Sequence, residues 1–149
     1  VCRSPMAEAS LRFRVPKDLK NRIVVESAGL RTLSGLAPTV EAEVAARLKG
    51  YSLASHRSRS ASEADLEEAD LILCMEPDHV DLIVNRYPHL RSRTFTLREF
   101  GGGTAGEIPD PYGLDISVYQ KTLELIDAEL FRMEKRIWTM ARRKVRSRV

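Results

Sequence analysis

A chain of 149 residues with 43% hydrophobic and 30% charged content has the size and composition of one globular domain around one core. No run of 18 apolar residues occurs, which excludes an apolar transmembrane helix, and two cysteines are too few for a disulfide framework, which points to a reducing cytoplasm. Net charge is +3, with Arg142, Arg143, Lys144, Arg146 and Arg148 crowded into a basic tail over 142–149; it lacks interleaved aromatics, gives no support to nucleic-acid stacking, and reads as a solvated, frayed terminus.

The opening stretch Val1-Cys2-Arg3-Ser4-Pro5-Met6-Ala7-Glu8 reads as a loop running into a helix. Ser4 suits the N-cap and Pro5 the first helical position. Met6, Ala9 and Phe13 carry the helical spacing to about Arg14, and Pro16 stops it. A helix start gathers free amides and the positive end of a dipole, so it attracts anions. Arg3 adds a planar fork that can grip two oxyanion oxygens. The same residues also fit a plain capped helix with a surface arginine and a buried cysteine.

Farther along, Ile23-Val24-Val25 is predicted as a buried parallel strand ending at Ser27-Ala28-Gly29, either a ligand-bearing strand end or a plain turn. Pro38 opens a helix with Val40, Val44, Ala45 and Leu48 as its apolar stripe, and Gly50 closes it. His56, in Ser55-His56-Arg57-Ser58-Arg59, has no second histidine at ligand spacing, so no metal is expected. Ser62-Glu63-Ala64-Asp65 is a capping-box start.

Leu71 to Met75 is the clearest strand, with Cys74 as a small core residue. A helix follows from Pro77, carrying Val80, Ile83 and Val84, and Pro88 ends it. Arg93 to Leu97 alternates as the last strand. A glycine-rich loop from Gly101 leads to Ile108-Pro109-Asp110-Pro111-Tyr112-Gly113. From Ile116 to Val145 the chain reads as one helix, with Ile126, Leu130, Met133, Ile137 and Met140 on its packing face. Its first half is expected to dock on the sheet, and its second half, past Arg132, to project or pair with another subunit, with docking alone the simpler reading, so a monomer or weak dimer is expected.

Strands separated by helices predict an α/β fold built on a parallel sheet. Taken together, Arg3-Ser4 and Asp110-Pro111-Tyr112, with Glu26-Ser27-Ala28-Gly29 and Ser55 to Arg59 between them, resemble the low-molecular-weight protein-tyrosine-phosphatase family over essentially the whole chain. That family carries a C-x5-R-S phosphate loop early and an Asp-Pro general acid late. The resemblance implies a four-stranded parallel sheet flanked by helices on both faces. Its nucleophilic cysteine lies six residues before the arginine, so it falls ahead of Val1, and Cys2 matches the family's second cysteine. The single domain over 1–149 is therefore expected to be N-terminally incomplete, its first strand missing.

The resemblance assigns Val1, Cys2, Arg3 and Ser4 to the phosphate loop, with Arg3, Ser4 and Asp110 catalytic. Ser27 and His56 would brace the loop, His56 by bonding an asparagine ahead of Val1, and Tyr112 would wall the entrance. Cys2 is either a trap for an oxidised nucleophile or an inert support. The implied reaction is phosphomonoester hydrolysis through a phosphocysteine, without cofactor, on a phosphotyrosine protein such as a tyrosine kinase, with phosphate or another oxyanion as loop ligand. Neither nucleic acid nor membrane is an expected partner. The alternatives are a protein-arginine phosphatase, disfavoured by Val1 where that branch tends to have Thr; an arsenate reductase, which needs more cysteines; and a non-catalytic phosphate-binding module.

Overall fold

Two short strands set the layer on which the site is built. The structure, a computed structural model, describes residues 2–103 and 106–147, with side chains as far as 144. Strand β1 (Ile72–Cys74) pairs in parallel with β2 (Thr94–Thr96), Leu73 facing Phe95 in the register. The crossover between them is helix α4 (Pro77–Arg86) and a 3-10 turn over Pro88–Arg93. Before β1 come α1 (Arg3–Arg14), α2 (Val40–Leu48) and α3 (Glu63–Glu68); after β2 come α5 (Leu97–Phe100) and the long α6 (Ile116–Ser147). The class is α/β, as read from the sequence. None of the helices among the described residues is long and apolar enough to cross a membrane.

Local chemistry explains most of the boundaries. Thr39 caps α2 by accepting from the Ala42 amide. Ser62 and Asp65 close a capping box at α3, and Thr96 and Glu99 close another at α5, a helix that begins at the last residue of the expected strand and was not expected from the sequence. Gly50 follows α2 with φ +84°, a backbone state that only glycine takes without strain. Helix α1 starts earlier than expected, with Cys2 at its N-cap, so Ser4 and Pro5 sit inside the first turn.

The core forms where α1 and α2 pack on α6. Tyr119, Leu123, Ile126, Leu130 and Met133 meet Met6 and the small side chains of α2. Those are Ala42, Ala45 and Ala46, whereas the expected Val40 and Leu48 point outward; alanines permit the close helix approach that larger residues would block. A polar stitch reinforces the seam. Ser10 donates to Asp127 Oδ1 at 2.5 Å, Tyr51 donates to the same oxygen at 3.2 Å, and Arg14 bridges to Glu134 at 3.2 Å. The second half of α6 docks through Ile137 and Trp138. The first part of the basic tail continues this helix instead of fraying, and Arg142 pairs with Asp18 at 3.1 Å.

The described residues hold two strands, not the expected three. Ile23 to Val25 lies outside any ladder, with Val24 81% exposed, and the Val25 carbonyl accepts from the Arg12 side chain. A β-branched run becomes a strand only against a partner's N–H and C=O row. Among the described residues the β-bridge of this region is the isolated parallel one between Gly29 and Ser60. Between Ile23–Val25 and β1 runs a cavity of about 1460 Å³, floored by Ala7, Leu11, Leu130 and Ile137. It leaves the edge of β1 away from β2 without a ladder partner among the described residues.

The Ser62 amide, then the Arg59 guanidinium, hold the Asp65 carboxyl below the usual carboxylate range. A depressed folded pKa stabilises above the unfolded value, about 4, and this is lost as pH falls through the lower folded one. Asp65→Asn should therefore lower the urea midpoint near pH 6, and the difference should shrink toward about pH 2.

Candidate active site

The head of α1 and the loop before α6 meet at one arginine. The Arg3 side chain is 14% exposed, and its Nη1 donates to the Ile108 carbonyl at 2.6 Å and to Glu76 Oε2 at 3.2 Å. Its Nε and Nη2 take no hydrogen-bond partner among the described residues. That leaves one edge of the guanidinium presented for a bidentate oxyanion. Ile108 is fully buried, and its amide donates to the Met75 carbonyl at 2.8 Å.

Two residues on, Asp110 stands exposed between buried Ile108 and buried Pro111, and its Oδ1 accepts from the Tyr112 amide at 3.1 Å. Arg3, Ser4, Ser27 and Asp110 line the same cavity. Tyr112 projects from the loop, 67% exposed. Val1 lies outside the described residues.

Behind this line sits a carboxylate that the sequence reading passed over. Glu8, one turn beyond Ser4 on α1, accepts from Ser27 Oγ at 2.6 Å and pairs with Arg12 at 2.8 Å. His56 Nδ1 lies 3.3 Å from the same Glu8 oxygen, so the described partner of His56 is this glutamate. Ser27 and His56 thus come together on one anchor. The signal available was the i to i+4 spacing of Ser4 and Glu8, which puts both on one helix face. Glu76 was missed too. It sits at the N-cap of α4, with His79 Nε2 3.2 Å from its other oxygen.

Neither cysteine of the chain is presented as a nucleophile. Cys2 is 2% exposed, and its Sγ lies 3.5 Å from the Tyr119 hydroxyl and 3.8 Å from Thr39 Oγ1. Desolvation first, then the bond to Cys2, push the Tyr119 phenol up to about 12, so it stays neutral. Burial pushes the Cys74 thiol up to about 12 as well. A nucleophilic or relay cysteine needs the opposite.

Comparison with known proteins agrees with this geometry. The family model described as low molecular weight phosphotyrosine protein phosphatase matches residues 1–143. A protein-arginine-phosphatase of Geobacillus stearothermophilus is 36% identical over 138 residues, covering 93% of this chain and 90% of that protein. The low molecular weight protein-tyrosine-phosphatase PtpB of Staphylococcus epidermidis is 34% identical over 137 residues, covering 89% of this chain and 92% of its own. Among solved structures, the low molecular weight protein tyrosine phosphatase of T. tengcongensis superposes with a TM-score of 0.83 at 34% identity, covering 91% of each chain.

With its thiol raised to about 12, Cys74 is nearly all protonated at neutral pH. Iodoacetamide near pH 7.5 should leave Cys74 unmodified in the folded protein and label it after unfolding in urea, as read by peptide mass mapping.

Proposed function

This chain belongs to the low molecular weight phosphotyrosine protein phosphatase family, and on that premise we propose that its site hydrolyses phosphotyrosine in protein substrates through a phosphocysteine. The observation that carries the reading is the 2.6 Å bond from Arg3 to the Ile108 carbonyl, which joins the phosphate-binding arginine to the loop of the acid. In the C-x5-R-S register the nucleophile is a cysteine of the parent polypeptide, six residues before Arg3. The cavity along the free edge of β1, bounded opposite by extended Ile23 to Val25, supports a further strand leading to it.

The steps follow from the side chains. Arg3 Nε and Nη2 and the amides at the head of α1 hold the equatorial oxygens and spread their charge. The thiolate attacks phosphorus in line; the S–P bond forms as the P–O bond to the phenol breaks, and Asp110 gives its proton to the departing oxygen. Asp110 then takes a proton from water attacking the phosphocysteine. Phosphate leaves, and the sulfur recovers its electron pair as a thiolate steadied by Ser4. Glu8, through Ser27 and His56, keeps the surroundings of the loop in place. Exposed Tyr112 supplies a face for the substrate ring.

A second reading has a specific observation behind it: the 36% identical relative is named a protein-arginine-phosphatase. Arsenate reduction has less support, because a thiol relay through buried Cys74 is blocked by its raised pKa.

In the parent enzyme, Asp110→Asn should cut kcat/KM on phenyl phosphate by about 10²-fold. Arg3→Lys should cost at least as much, since an ammonium cannot make the bidentate grip. Unchanged turnover in both would end the phosphatase mechanism. Matched phosphotyrosine and phosphoarginine peptides, compared by kcat/KM, decide the substrate. A preference for phosphotyrosine is expected, and a reversed order would install the second reading.

A further inference from the structure

The loop that presents Asp110 is held at its far end by Ile108, but its near end rests on a group of charges the mechanism does not use. Arg98 of α5 accepts at its carbonyl from the Gly103 amide at 3.1 Å, and its Nη1 donates to the Glu107 carbonyl at 3.4 Å. Beneath it lies Glu129 of α6, its side chain 3% exposed, with Oε1 4.0 Å from Arg98 Nε and 3.8 Å from Arg132 Nη1. Arg98 Nε and Glu129 Oε2 are both buried without a hydrogen-bond partner among the described residues.

The loop is shaped to this carboxylate. A Cβ on Gly101 would come within 2.6 Å of Glu129 Oε2, and one on Gly103 within 3.4 Å of Arg132 Nη1. A buried carboxylate with incomplete hydrogen bonding is costly, and Glu129 shares its buried face of α6 with the apolar Leu130 and Met133. Among the described residues its charge faces two guanidiniums, Arg132 and Arg98, and the second of these reaches the acid loop.

We propose that Arg98, held by Glu129, is a positioning residue for Asp110: it pins the Glu107 carbonyl, three residues ahead of the acid, and so sets where the carboxyl stands when the leaving oxygen departs. This rests on Asp110 being the general acid. Arg98 is not among the residues lining the cavity with Arg3 and Asp110, and it acts only through the loop.

The test is the dependence of kcat/KM on leaving-group acidity in the parent enzyme. A well-placed acid makes the rate nearly indifferent to the leaving group, whereas a displaced one penalises poor leaving groups alone. Arg98→Ala should lose about tenfold on phenyl phosphate, whose leaving group has a pKa of about 10, and less than about twofold on 2,4-dinitrophenyl phosphate. Glu129→Gln, which is nearly isosteric, should show the same selective loss at about threefold, and Arg98→Lys, which keeps a donor for the Glu107 carbonyl, should recover most of the rate.

Equal losses on both substrates, or none, in Glu129→Gln and in any folded Arg98 variant would overturn the inference and leave a merely structural ion pair. Asp110→Asn measured alongside should display the selective loss in full. Its failure to do so would overturn the acid assignment itself, whereas a flat response confined to the Arg98 and Glu129 variants overturns only the positioning role.

Discussion

A single guanidinium ties this molecule's chemistry together. One nitrogen of Arg3 is spent on protein acceptors, the Ile108 carbonyl and the Glu76 carboxylate, which orients the rest of the fork. A hydrogen bond from a charged donor is worth about 1.5–3 kcal/mol, and this one spans 105 positions of sequence. Loop-closure entropy grows only slowly with length, so the long connection is inexpensive once the intervening elements are packed. The contact makes the N-terminal end of α1 and the loop of Asp110 one unit.

Packing then keeps that unit in register. Helix α1 cannot rotate its head without breaking the seam to α6, where Met6 is buried and Ser10 and Tyr51 share one oxygen of Asp127. On the other side, Ile108 is trapped by its own burial and by the Met75 carbonyl at the end of β1. The exposed Asp110 therefore stands on a loop whose neighbours, Ile108 and Pro111, are both buried in the interior. An exposed carboxyl on a rigid mount is the arrangement the proposed acid role calls for.

Charge around the site is balanced and not uniformly positive. Glu76 stands beside the head of α1 and Glu8 lies on it, and each has its partners: Arg3 and His79 for the first, Arg12 and His56 for the second. The carboxylates thereby steer cationic and hydrogen-bonding groups toward fixed places. The outer wall differs in character. Tyr112, Leu114 and Ile116, which follow Asp110 in the chain, are exposed apolar side chains.

What the sequence by itself determined were the features encoded within a few residues. Examples are the capping box at Ser62 and Asp65, the stop at Gly50, the strand from Ile72, the apolar seam of α6, and the order of Arg3-Ser4 and Asp110-Pro111. Each depends on local sterics, local hydrogen bonds or periodicity, which the chain carries wherever it folds. What only the tertiary structure decided were the partnerships: Glu8 gathering Ser27 and His56, Glu76 sharing Arg3, Glu129 beneath Arg98, and the inward face of α2. The run at Ile23 belongs with them, because a strand exists only opposite another, and no local pattern records whether that partner is there.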